Sequence, residues 1–427
     1  MKRITAFLII FIVLLNTAFV SAVEEQPGQN ESFTLGAIRW DAWYGDNEEA
    51  DGTYSEVMRS LSPAKYHFRA PFYAQVTSEG NVIIPEYTQE IFDKEMEYAI
   101  EGGIDYFAYV WYSNGGLRRA RDFHTSSKYK NQVKMTGIID TNSLGNASVK
   151  NEIVSLMKES FWMTVLGNKP ILYFFVDDRN AKIVQADIEK FKTLTQKEGL
   201  PDPYFVFMQN DINTAVVRST GADAASMYSV WGEDGLSFNG LLFKAEKEWE
   251  NGTGYQVVPN VPTGWDTRTR ADNQVSWMHC EKNSWAQTAT ADDIYKAFTK
   301  AFQWMDAHKA CTQARTLITY AWNEHDEGGW LCPTIAVDEN GNQLKNGDGT
   351  NKTDDSRIQA LKRAVLEYKG AASNENAEKD NTSETDNGAV QANINRNNTL
   401  IYLVTCVCGI LIVGAVSVAA VRRKKKK

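Results

Sequence analysis

Cysteine is too scarce in this chain to build a disulfide scaffold. There are five in 427 residues, and Cys406 and Cys408 fall inside a long apolar run. Cys280, Cys311 and Cys332 remain, an odd number without metal-ligand spacing, so at most one intramolecular disulfide can form. Histidine is equally sparse. His67, His124, His279 and His308 are scattered, and a His-Glu-x-x-His pattern is missing. No Gly-rich phosphate loop follows the first strand-like run, which argues against a dinucleotide site. A basic face is lacking too. Eight of the 45 basic residues lie at the two ends, leaving 37 against 54 acidic residues, a net charge of −17. Such a surface is soluble and a poor partner for nucleic acid. The fold must rest on an apolar core, for which roughly 350 residues are ample.

The two ends carry their own signals. Residues 1–22 begin with Lys2 and Arg3, continue through an apolar stretch, and finish Val20-Ser21-Ala22. This is the layout of a secretory signal peptide, with an N-terminal membrane anchor as the alternative. Residues 399–421 carry no charge and can cross a bilayer of roughly 30 Å. Arg422, Arg423 and four lysines follow at once. Cations stay on the cytoplasmic side, so a 422–427 tail inside and an extracellular ectodomain are expected: a single-pass protein of the cell membrane. Residues 371–398, rich in Asn, Glu, Ser, Thr and Asp and without aromatics, read as a flexible stalk. Residues 33–370 then form one domain, expected to act as a monomer.

Within that domain, apolar runs alternate with amphipathic stretches. Strands are expected at 35–43, 106–112, 134–140, 171–176, 204–209, 224–230, 255–261 and 317–322. Helices are expected at 88–101, 150–166, 186–198, 238–251, 291–310 and 356–369. The helices after the second and fifth strands are the faintest, and residues 71–76 read as an extra strand in a long first loop. Eight strands, each followed by a helix-sized segment, argue for a parallel sheet closed into a (β/α)8 TIM barrel, an α/β fold.

Such barrels gather their functional groups at the C-terminal ends of the strands. Read in order, those ends supply Arg39, Trp43 and Tyr44; then Tyr109, Trp111 and Tyr112; then Asp140 and, from the fifth strand, Gln209. The later strands add Tyr228, Trp265 and Asp266, and finally Asn323, Glu324, Asp326 and Glu327. Aromatic faces beside carboxylates and amides suit sugars: rings stack on the C–H face of a pyranose while Asp, Asn and Gln bind its hydroxyls. A polysaccharide or other glycan is therefore the expected substrate. Glycosidic cleavage generally needs one carboxylic acid and one carboxylate. Glu324, Asp326 and Glu327 place three carboxyl groups within four residues, and their mutual repulsion raises the pKa of at least one. In an extended strand Glu324 and Glu327 point to opposite faces, so they converge only if the chain turns, as Gly328-Gly329 allows. His325 makes a metal site conceivable, but adjacent strand residues chelate one ion poorly, and no metal or cofactor is expected. Asp338-Glu339-Asn340-Gly341-Asn342 departs from a calcium-binding loop and reads better as a hairpin turning at Asn340-Gly341.

The stretch Thr319-Tyr320-Ala321-Trp322-Asn323-Glu324-His325-Asp326-Glu327-Gly328 resembles the Asn-Glu-x-x-Glu-Gly signature of glycoside hydrolase family 99-like proteins. That family includes endo-α-mannosidases and related bacterial polysaccharide-processing proteins. Gly103-Ile104-Asp105-Tyr106-Phe107-Ala108-Tyr109-Val110-Trp111-Tyr112 and Gly264-Trp265-Asp266-Thr267-Arg268-Thr269-Arg270 match it as well. The resemblance implies a (β/α)8 barrel that cleaves α-linked glycans, of α-mannan or α-glucan type, with retention, without a metal and by endo action. It also implies that Glu324 is the base acting on the sugar 2-hydroxyl and Glu327 the acid/base. His325-Asp326 replaces the Trp-His found between the glutamates of the endo-α-mannosidases, which leaves open a glycosyltransferase-like role. A non-catalytic carbohydrate-binding surface protein would use the same aromatic rim.

Overall fold

The computed structural model describes residues 33–44, 53–175 and 180–380, with side chains to residue 370. The expected signal peptide, membrane span, basic tail and most of the stalk lie outside the described residues. Among the described residues no helix is long and apolar enough to cross a membrane.

Eight parallel strands carry the domain: β1 (Thr34–Arg39), β2 (Tyr106–Trp111), β3 (Lys134–Asp140), β4 (Lys169–Phe175), β5 (Tyr204–Gln209), β6 (Ala224–Met227), β7 (Asn260–Pro262) and β8 (Thr316–Tyr320). Their hydrogen-bonded order is β7-β8-β1-β2-β3-β4-β5-β6. The remaining seam, β6 to β7, is joined by a parallel bridge between Ala225 and Val257. Asn260 Nδ2 also donates to the carbonyls of Met227 and Tyr228, at 2.8 Å each. The result is a nearly closed barrel with helices around it, in which each strand meets its sequence neighbour as right-handed βα units require.

Interior packing follows the period of two. Gly36, Tyr106, Tyr173 and Thr316 point inward at one level of the barrel. The Tyr106 hydroxyl lies 2.6 Å from that of Tyr173 and 3.0 Å from Thr316 Oγ1. Tyr106 can lie there only because its β1 neighbour is glycine: a Cβ on Gly36 would overlap its ring.

The expected elements are present with displaced boundaries, and each displacement has a local cause. The helix expected at 150–166 is Ala147–Leu156, started by the Asn146 side chain. Beyond it Met163 pairs with Met135, and Thr164–Val165 forms a short antiparallel strand. The run expected as strand 255–261 contributes only Asn260–Pro262, because Pro259 has no N–H for the ladder. The faint helices are Arg119–Ser126 and Thr214–Thr220. The extra strand of the first loop is Gln75–Val76, paired with Val82–Ile83. The last helix runs past Gly370, where the stalk was expected to begin, to Asp380; Ala371, Ala372 and Ala377 favour its continuation. Cys280, Cys311 and Cys332 are all buried free thiols. Residues 338–342 form the expected turn, with the Asp338 carboxylate capping the backbone of Asn340 and Asn342.

The Gly36–Tyr106 contact makes a stability prediction. Gly36→Ala overpacks the barrel floor and should cost about 1–3 kcal/mol or more in urea unfolding. A double-mutant cycle with Tyr106→Ala should show strong coupling, and additive effects would mean that the two do not meet.

Candidate functional site

A cleft of about 530 Å³ opens at the C-terminal end of the barrel. Glu324 and Glu327 line it with Tyr112, Gln209, Tyr228 and Arg270, and Trp40, Phe175, Trp277 and Met278 form apolar walls.

The carboxylates converge because the chain turns. Asn323–Glu324 pairs with Gly329–Trp330, and His325–Glu327 forms one 3-10 turn between them. Gly328 closes the turn at φ 82°, and a Cβ there would stand 2.7 Å from the Asp266 amide nitrogen. A Cβ on Gly264 would in turn overlap the Gly328 carbonyl. The segments after β7 and β8 are thus pressed together through two glycines, and Asp266 N donates to Glu327 O.

The two glutamates occupy different environments. Glu324 is 3% exposed. Its Oε1 accepts from Tyr228 Oη at 3.0 Å. Oε2 has no hydrogen-bond partner among the described residues, and Arg270 Nη2 stands 3.9 Å from it. Burial, then the charge of Glu327, pushes the Glu324 carboxyl well above its ordinary range, with Arg270 opposing. Glu327 has both oxygens engaged, one by Arg270 Nη1 and the other by Tyr320 Oη. Arg270 is also held by Asp326 through Nε at 2.6 Å and Nη2 at 3.1 Å. Burial works against the charge of Arg270, but Asp326 and Glu327 outweigh it.

Several residues expected to touch substrate stand behind the cleft. Strand alternation decides most of these cases. Val110 and Tyr112 line the cleft, so Tyr109 and Trp111 face the helical layer. There Tyr109 Oη meets His124 Nδ1 at 2.8 Å, and Arg121 lies over the Trp111 ring at 3.9 Å. Likewise Trp40 lines the cleft while Arg39 turns outward, paired with Asp41 at 2.8 Å and Glu95 at 2.6 Å. Asn323 is buried beside them, accepting from Trp40 N and donating to Asp41, both at 2.9 Å. Trp43 is buried edge-on to the His325 ring at 5.0 Å, and Tyr44 packs against Tyr54. Asp140 caps the short helix Thr141–Gly145. Trp265 lies between Trp231 and Tyr320, one ring removed from the Glu327 carboxylate. Asp266 is held by Arg69 and Arg268; burial opposes its charge, but the two arginines outweigh burial and keep its carboxyl low. Asp326 is fully buried against Arg270.

His325 is not among the cleft groups. Burial pushes its imidazole down to about 3, so it is neutral, and it packs near Trp43 and Trp330. Among the described residues no three His, Cys, Asp or Glu side chains converge as a metal set. Arg270, Trp40, Tyr320 and Trp277 were not singled out from sequence. Arg270 was visible within the motif after the seventh strand, and alternation could have exchanged Arg39 for Trp40. Trp277 lies in a connection without periodicity, which offered no signal.

No protein-family model and no curated protein matches the chain. It is similar to solved structures of a glycoside hydrolase family 99 endo-α-mannosidase from Bacteroides thetaiotaomicron. One, in complex with BIS-TRIS propane, is 14% identical with a TM-score of 0.49, covering 80% of this chain and 98% of that one. A second structure of that enzyme gives a TM-score of 0.45 at 14% identity, covering 79% and 98%. A β-glucuronidase from Parabacteroides merdae is 10% identical with a TM-score of 0.30, covering 56% of this chain and 31% of that one.

The raised proton affinity of Glu324 fixes a pH dependence. A carboxyl whose folded pKa lies above the unfolded value of about 4.3 adds stability below that pH and loses it as pH rises through the folded value. The amide introduced by Glu324→Gln has no such titration. The stability of this variant relative to the native chain should therefore climb as pH rises from about 4. A flat difference across a urea-unfolding pH series would show that Glu324 is not destabilised by its charge.

Proposed function

We propose that the chain is a glycosidase for α-linked glycans, with Glu324 and Glu327 as its two catalytic carboxyl groups. The observation that carries this reading is the buried, unpartnered Oε2 of Glu324. It belongs to a buried carboxyl of raised proton affinity, beside a second carboxylate, in an aromatic-walled cleft at the functional end of the barrel.

The family 99 resemblance makes Glu324 the base that takes a proton from a sugar hydroxyl, and its raised proton affinity makes it a stronger base when ionised. Glu327 is the partner that exchanges a proton with the glycosidic oxygen, and the adjoining Tyr320 hydroxyl shares its oxygen in the resting site. One guanidinium spans both glutamates. Retention, like the role of Glu324 as base, comes from the family 99 resemblance of the motif. Gln209, Tyr228 and Tyr112 are placed to meet hydroxyls, and Trp40 and Trp277 to meet ring faces. The α-linkage and endo action come from the family 99 resemblance of the strand-eight motif.

Glu324→Gln and Glu327→Gln should each bind α-mannan or α-glucan oligosaccharides while turnover falls by roughly 10²–10⁴-fold. A substrate with a very good leaving group should partly restore cleavage in Glu327→Gln and not in Glu324→Gln. Glycans bound by the native chain but never cleaved would remove the hydrolase reading in favour of a binding protein.

The terminal segments support placing the domain outside the cell on a membrane anchor. Protease treatment of intact cells should then release an active fragment that ends within the expected stalk, residues 371–398. A requirement for permeabilisation would reverse that orientation.

A further inference from the structure

The short helix Arg268–Asp272 has a different cavity on each side. Arg270 lines the carboxylate cleft, whereas Arg268 and Asp272 line a second cavity of about 360 Å³, together with Lys65, Tyr66, Arg69 and Lys282. Four cations meet there around two carboxylates. Asp266 receives Arg268 Nε at 2.8 Å and Nη2 at 2.7 Å, and Arg69 as well. Asp272 receives Lys65 Nζ at 2.7 Å, Tyr66 Oη at 2.8 Å and, less closely, Lys282 Nζ at 3.6 Å. Two positive charges are left over, on a domain whose sequence is strongly acidic. Glu281, next to Lys282 in sequence, is turned to His279 at 3.0 Å.

The cations differ in a useful way. Arg69 is buried, and its Nε has no hydrogen-bond partner among the described residues. Arg268 is held flat on the Trp285 ring at 3.6 Å, with a third of its side chain exposed. The Lys65 and Lys282 side chains are largely open to solvent. A fixed planar guanidinium flanked by two solvent-facing ammonium groups suits a bidentate oxyanion.

We propose that this cavity is a subsite for an acidic substituent on a glycan, a uronate carboxylate or a sulfate ester, with Arg268, Lys65 and Lys282 as its ligands. The proposal deepens the glycosidase reading, and rests on it only in taking the anion to be attached to a sugar chain.

The test uses the full chain in detergent and matched α-linked oligosaccharides that are neutral, glucuronate-bearing or sulfated, with inorganic sulfate as a separate ligand. Calorimetry at low salt should give roughly tenfold tighter binding of the acidic members, the value of one charge-assisted contact set. Lys282→Glu and Lys65→Gln, both at exposed side chains, should each reduce that advantage while leaving neutral-glycan binding unchanged. Equal binding of acidic and neutral members, or an advantage that survives both variants, overturns the proposal. Binding of inorganic sulfate without preference for the acidic glycans overturns it too, and assigns the cavity to a free ion. Acidic-glycan binding that depends on Lys282, with no cleavage of any member, upholds the subsite and rejects the glycosidase reading. Cleavage without acidic preference does the reverse.

Discussion

Three carboxyl groups within four residues cannot be buried together without a cation among them, and Arg270 is that cation. It holds Asp326 through two nitrogens, touches Glu327 with a third, and stands 3.9 Å from Glu324. Removing one partner from such a buried set generally costs about 3–5 kcal/mol, because the remaining charges keep their desolvation penalty. The rest of the mouth is arranged to bring this arginine in. It comes from the segment after β7, and its targets come from the segment after β8. The two segments are therefore locked together by backbone. Asp266 N donates to Glu327 O, Thr269 Oγ1 donates to Asp326 O, and Gly264 and Gly328 leave no space for side chains between them.

A second buried ion network fixes the other side of the same turn. Glu95 reaches from the helix Gln89–Gly102 to Arg39, and also accepts from Trp322 Nε1 at 2.9 Å and Tyr87 Oη at 3.0 Å. Asn323 ties the turn to Asp41 and the Trp40 backbone. Glu324 is thus the junction between two rigid anchors. Asn323 before it is pinned to Trp40 and Asp41, just after β1, and Asp326 after it is pinned to the arginine. Placement of a buried carboxyl to within a fraction of an ångström depends on such flanking restraint.

The barrel was legible because each strand is an apolar run with a helix-sized segment behind it, and β3 and β5 fall at the expected residues. The misplaced ends lie where tertiary pairing overrides local pattern, as at 161–165, or where Pro259 breaks a ladder. The site was legible as a set of strand ends but not as a surface. Taking both members of an alternating pair admitted Tyr109 and Trp111 with Tyr112, although only one parity can face the cleft. The acidic cluster was found because three carboxyl groups stand close in sequence. Their cation was harder to place, since a bridge between Arg270 and Glu327 is a relation between two loops and leaves no spacing to read. His325 shows the converse. A histidine among carboxylates suggests a ligand set, yet in a tight turn neighbouring side chains diverge, and this ring is directed into the aromatic packing.

That divergence also explains how one short motif yields two unlike carboxylates. The turn places residues 324 and 327 on the cleft side and 325 and 326 behind it. Asp326 therefore takes two of the nitrogens of Arg270 from behind, and Glu327 takes another at the cleft edge. Glu324 is left with a tyrosine on one oxygen and nothing on the other. Identical side chains thus stand in different surroundings, and for Glu324 burial comes first in raising its proton affinity, followed by the charge of Glu327. Arg270 opposes them from 3.9 Å, and Asp326 adds a smaller push in the same direction as Glu327.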